Sequence, residues 1–380
     1  MGAVKREVYI DYLRLLLIGL VVMQHLSVTY SGIGSWYYVE KAALGPVQQT
    51  VFLFFNSFNQ SYFMGLLFFI AGCFVPGAYD RKGFWRFTAD RFLRLGVPAL
   101  FYMLLVQPLN LYILRTAGVW QQADFFAWYA RYVSSFAFLG GSGPLWFAVA
   151  LLIFSLFYAL FRLLEGEANG SRPLCPLTTR YCIGLILLIA IVAFAIRLVQ
   201  PIGTSILNMQ FCFFSEYVFL FAAGIAASRN QWLAELRYEY GLKWLKAVLF
   251  LGIPCWIAVV IGGGVLRMQS IDVITGGWQW QAACYALLES FFGVGMSIGL
   301  LALFKEKCNR QSRFWQTLAD NSFAVYVFHA PIIITLTLLL RDLQFWPLLK
   351  FALLSVLALP LCFALAHFVL RRLPLLKRIL

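Results

Sequence analysis

Apolar runs of about 20 residues recur along the whole chain, each long enough to cross a hydrocarbon layer about 30 Å thick at 1.5 Å per helical residue. Only 12% of the 380 residues are charged and 62% are hydrophobic, whereas soluble domains run near a quarter charged. Helices do the spanning, because the ten-residue apolar/polar alternation of a membrane β-barrel is absent. Ten spans are predicted, over 8 to 30, 50 to 75, 93 to 114, 143 to 164, 180 to 199, 206 to 228, 242 to 263, 278 to 304, 322 to 341 and 350 to 372. The expected fold class is all-α: a polytopic transmembrane helix bundle in the lipid bilayer. It forms one domain over residues 1–380, with no appended soluble domain.

An even number of spans puts both termini on one side. Loops assigned alternately place 22 of the 30 basic residues on that side and 7 on the other, Arg197 among the 7, with Arg14 inside a span. The positive-inside rule then makes both termini cytoplasmic. Topology thus accounts for most of the net charge of +14, and a nucleic-acid partner is not expected. The eight cysteines form no CxxC pair and lie mostly in apolar runs, so they read as reduced core residues, with neither a disulfide framework nor a metal site. The first apolar run carries Arg14 and lacks a small-residue cleavage site, so no cleavable signal peptide is expected.

The second span is polar in its first half, with Asn56, Ser57, Asn59, Gln60 and Ser61. Polar groups at membrane depth need partners or water, so this stretch is expected to line a cavity open to the outer side. The loop from Arg115 to Gly143 carries Trp120, Trp128, Tyr129 and Tyr132, read as interfacial anchors in preference to a sugar-stacking platform.

Ionisable residues inside spans are costly and are functional candidates by default. Arg14 and His25 are eleven residues apart, within about 20° of three full helical turns, so they share one face about 16 Å apart along the axis. Asp11 joins the same face at ion-pairing distance from Arg14. A neutral imidazole at His25 can act as a general base, or it can simply bond between helices. Spacing alone leaves these even, and it slightly favours Arg14 as no more than the counter-ion of Asp11. Glu216 and Glu289 lie near the middle of their spans, where either could pair with Arg14, orient a histidine or hold helices together. His329 precedes Pro331 and reads as a structural imidazole, and His367 as interfacial. The inner loop from Asp80 to Arg94 holds Arg81, Lys82, Arg86, Arg91 and Arg94, denser than orientation requires and able to meet the phosphates of coenzyme A.

These residues resemble the acyltransferase 3 family of ten-span membrane enzymes. The opening YIDYLRLLLIGLVVMQHLSVTY is similar to that family's first span, with an arginine, ten residues and a histidine. FFIAGCF (Phe68 to Phe74), RFTADRFLRLGVPALF (Arg86 to Phe101), PLWF (Pro144 to Phe147) and SFAVYVFHAP (Ser322 to Pro331) resemble four further family segments in the family's order. Ala71 departs from the family's usual serine. KREVYIDYLR and LRRLPLLK look similar to the periplasmic glucan succinyltransferase subgroup. The resemblance implies transfer of an acetyl- or succinyl-type group from cytoplasmic acyl-CoA to a hydroxyl of an extracytoplasmic carbohydrate, at a bacterial inner membrane. His25 would be the catalytic histidine, as base or as acyl acceptor, and Arg14 its partner. A transporter using the intramembrane charges as a relay is the alternative, and a non-catalytic scaffold a third reading. No internal repeat supports the transporter.

Overall fold

The computed structural model describes residues 7–121, 124–165, 174–264, 272–373 and Leu376. Of the basic residues counted for topology, Lys5, Arg6, Arg172, Arg267, Lys377 and Arg378 lie outside these. Among the described residues there is no β-strand, and nine helices are long and apolar enough to cross a membrane. The protein is an all-α polytopic bundle.

One of the nine, Pro46–Thr116, runs for 71 residues, about 107 Å if straight, far more than one crossing needs. It is broken twice. The first break separates α2 (Pro46–Gln60) from α3 (Phe63–Arg91) at Ser61 and Tyr62. The second is Gly83, whose φ of 68° only glycine adopts at low cost. Lys82 Nζ lies 2.8 Å from Asp90 Oδ2, and the Tyr79 and Phe87 rings are 5.6 Å apart. Residues eight apart on a straight helix would stand about 12 Å apart. The chain therefore turns sharply at Gly83 and residues 84 to 116 form a second crossing, which reconciles nine helices with ten predicted spans.

The remaining spans are α1 (Val8–Ser31), α4 (Gly143–Glu165), α5 (Thr179–Arg197), α6 (Phe211–Arg229), α7 (Tyr238–Gly262), α8 (Trp280–Lys307), α9 (Arg313–Leu339) and α10 (Pro347–Arg372). The most apolar stretch of α8 is 78% buried against 28% for α5 and for α7, so α8 is central and those two are peripheral. Without a hydrophobic drive between helices in lipid, close approach depends on small residues. At the α3–α6 crossing, a Cβ on Gly72 would meet the Phe221 carbonyl, and one on Gly224 would meet the Phe69 carbonyl. Those two glycines let the backbones touch.

Three π-helical turns, at 92–96, 102–106 and 248–252, each precede a proline, Pro98, Pro108 and Pro254 respectively. Proline has no N–H for the carbonyl four residues back, and the widened turns absorb the mismatch. At Pro108 the orphaned acceptor is Leu104 O, which takes the Tyr129 hydroxyl at 3.0 Å, while Met103 O takes Tyr132 at 2.9 Å. Trp128 stacks on Tyr132 at 4.9 Å. The aromatic loop residues are thus packed on one another and on the crossing formed by residues 84 to 116.

The charge count set Arg197 among outer loop residues. The structure corrects that: Arg197 closes α5 fully buried and forms an ion pair with Glu289 on α8. Its place two residues inside the end of the predicted span 180 to 199 agrees with that burial. All eight cysteines are free.

Candidate active site

Around His25 the fold opens a cavity of about 570 Å³, within the range of small-molecule sites. Its floor and one side come from α1 (Val21, Gln24, His25 and Val28) and from the polar half of α2 (Asn56, Ser57 and Gln60). The expectation that α2 lines a cavity is met. The buried Asn59 instead turns to α1, giving its amide to Gln24 Oε1 at 2.9 Å, and Gln60 donates to the Tyr217 hydroxyl at 2.9 Å. These amides of α2 thus line the wall or bond within the bundle.

The roof is built from loops. Gly32 ends α1 in the left-handed conformation (φ 68°), its N–H returning to Val28 O at 2.9 Å. This is the usual glycine stop for a helix. It sends the chain back over α1, where Asn56 holds Ile33 O at 3.1 Å and Glu40 N–H reaches Thr29 O at 2.8 Å. The buried Lys350 of α10 pairs with Glu40 at 2.7 Å and pins the far end. Trp36 is thereby laid flat on His25, ring centroids 3.7 Å apart and planes 17° from parallel. Tyr37 follows with hydrogen bonds to Gln107 and, at 3.0 Å, to Tyr102.

A second loop closes from the opposite side. Leu207 and Asn208 take positive φ (50° and 63°) in a tight turn between Ile206 and Met209. The Asn208 amide donates to Gly143 O at 2.8 Å and to Ser142 Oγ at 3.0 Å. Both loops meet at Gly143, where a Cβ would lie 2.6 Å from the Tyr37 and Tyr102 hydroxyls.

His25 lines this cavity, and its Nδ1 is buried without a partner among the described residues, which leaves Nε2 as the nitrogen available to the cavity. His329, fully buried on α9, stands beside it with centroids 5.3 Å apart. Arg14 is elsewhere: its guanidinium lies 3.7 Å from Asp11 and over the Phe74 ring of α3 at 5.1 Å. The cavity stops at Val21, and the fully buried Leu17 stands between it and Arg14. The shared helical face is real, but the two residues serve opposite ends of it.

Glu216 and Glu289 sit behind the cavity wall, beside the wall residues Tyr217 and Tyr285, and approach neither Arg14 nor His25. Glu289 takes Arg197, whose guanidinium also lies over the Phe213 and Tyr285 rings. Glu216 is wedged between α3 and α8, its carboxyl where a side chain on Gly65 or Gly293 would go. The stretch read as a basic inner loop is helical on both sides of the Gly83 turn; there Lys82 and Arg94 share Asp90 at 2.8 and 2.9 Å, and Arg91 lies over Phe87 at 4.9 Å. Arg81, Arg86 and Arg94 are exposed. Since α1 packs on α3 at Phe74, this stretch lies at the Arg14 end of the stripe.

The family model described as an acyltransferase domain, acyltransferase 3, matches residues 7–367. The chain belongs to the acyltransferase 3 family. It is therefore a membrane acyltransferase. No curated protein and no solved structure matches the chain. Sequence reasoning about this acyltransferase missed Trp36, Tyr37, Arg197 and Asn208. Gly32 and Gly34 after the first span were the one local signal of a reversing loop. Nothing local marks a tryptophan four residues later as the partner of His25.

Proposed function

We propose that the acyltransferase moves an acetyl- or succinyl-type group from acyl-CoA, held at the basic end by Arg14 and the Arg81–Arg94 stretch, to a hydroxyl of a carbohydrate in the His25 cavity. The positive-inside charge bias puts the basic end in the cytoplasm and the cavity outside, as in a bacterial inner membrane. His25 Nε2 takes the proton from the acceptor hydroxyl as its oxygen attacks the thioester carbonyl. The C–S bond breaks and the thiolate recovers that proton from His25. The amides of Gln24, Asn56, Gln60, Asn208 and Gln210 suit the many hydroxyls of a sugar, and Trp36 and Trp146 suit its apolar face. The donor's path past Leu17 has to open during the cycle.

The observation that carries this reading is the placement of His25 in a roofed cavity walled by amides and aromatic rings. The test supplies labelled acetyl-CoA or succinyl-CoA and candidate glycans to the purified protein in lipid vesicles. Label should appear on glycan oxygen, and His25→Ala should lower turnover at least about 100-fold, the usual span of a general base, with its thermal midpoint unchanged. Retention of all label on CoA with solute flux abolished in His25→Ala would replace the enzyme reading with transport.

A further inference from the structure

His329 is aligned with His25 in a way that its burial alone does not require. The His25 and Trp36 rings overlap face to face at 3.7 Å, and the other two centroid separations are 5.3 Å from His25 to His329 and 6.1 Å from Trp36 to His329. Those three lengths set the angle at His25 near a right angle, about 83°, so His329 lies off the edge of the His25 ring and not above its face. The His25 and His329 planes are 13° from parallel. Two coplanar imidazoles joined by one N–H···N bond have centroids about 5.2–5.5 Å apart, given a nitrogen separation near 3 Å. The observed spacing is close to that of such a pair.

The hydrogen bonds of the pair leave one nitrogen of each ring unoccupied. His329 Nδ1 faces the Tyr326 carbonyl at 2.9 Å and the Val325 carbonyl at 3.3 Å. Carbonyls only accept, so Nδ1 carries the proton and Nε2 holds a lone pair. That Nε2 is buried with no partner, and so is His25 Nδ1, so the two nitrogens do not bond to each other as the side chains stand. One residue has an orphan acceptor and its coplanar neighbour an orphan ring nitrogen.

We propose that His329 is the positioning residue of the active site: after a small turn of the imidazole rings, its Nε2 accepts the Nδ1–H of His25 and keeps the His25 Nε2 lone pair turned to the cavity. When His25 takes the acceptor's proton on Nε2, its Nδ1–H stays bonded to His329, which gains and loses no proton. His329 does for His25 what a carboxylate does in many hydrolases, without a buried negative charge. Trp36, flat on the imidazole, blocks rotation out of that plane. This inference rests on the role proposed above for His25.

The test compares His329→Phe, which keeps a ring without the acceptor, with His329→Gln, whose amide oxygen can replace it. Both are measured as purified protein for thermal midpoint and for kcat and KM with labelled acyl-CoA. His329→Phe should lose about 100-fold in kcat with KM for the donor within about 3-fold, and His329→Gln should recover at least 10-fold of that loss. Equal kcat in the two variants, or a loss that tracks a fallen thermal midpoint in both, would make His329 a packing residue. His25→Ala run alongside separates the two claims: an inactive His25→Ala beside a fully active His329→Phe overturns only the positioning role, whereas an active His25→Ala overturns the site itself.

Discussion

At the scale of single residues, ionisable groups in this bundle divide by what each one is given. His25 has a cavity on one side, an indole on its face and an imidazole at its edge. Arg197 and Glu289 have each other, with two aromatic rings over the guanidinium and no route to the cavity. A buried pair contributes little net stability, since desolvation offsets most of the attraction, but removing one member strands the other. Arg197→Ala should therefore cost about 3–5 kcal/mol and lower the thermal midpoint sharply, while Arg197→Met with Glu289→Leu recovers most of it. Thermal unfolding of the purified variants decides this. A single Arg197→Ala with unchanged midpoint and abolished turnover would move the pair from scaffold to chemistry.

At the scale of elements, the breaks in the helices position the site. Interrupting the run at Ser61 and Tyr62 lets α2 present Asn56, Ser57 and Gln60 to the cavity while α3 keeps an apolar face for α6. The cost of such breaks is met by close contact elsewhere, most plainly at Gly72 and Gly224. A methyl at Gly224 would collide with backbone, which cannot rotate away as a side chain can. Gly224→Ala should accordingly cost about 1–3 kcal/mol. Gly184→Ala is the control on peripheral α5: nothing lies within 4 Å of its Cβ position, and its effect should stay within about 0.5 kcal/mol. Equal midpoints for the two variants would argue against the tight α3–α6 crossing.

At the scale of the whole molecule, one end is basic and the other holds the cavity, and this polarity is what a transmembrane transfer needs. It can be checked with a membrane-impermeant maleimide. The exposed native Cys175 should label only in inverted vesicles, and Val199→Cys, 84% exposed at the cavity end, should label only in right-side-out ones when Cys175 and Cys308 are changed to serine. The reverse pattern would invert the assigned orientation.

Much of this architecture was legible in the sequence because its causes are local. Hydropathy over 20 residues determined the spans, 100° per residue determined the shared face of Arg14 and His25, and family motifs determined the reaction class. The polar run in α2 pointed correctly to a cavity wall. What only the tertiary structure decided are the partners: Trp36 over His25, His329 at its edge, Arg197 with Glu289, and the two loops that meet at Gly143. Each joins segments far apart in the chain, and each depends on how helices rotate and slide against one another. That register is set by packing across the whole bundle, which no window of sequence contains.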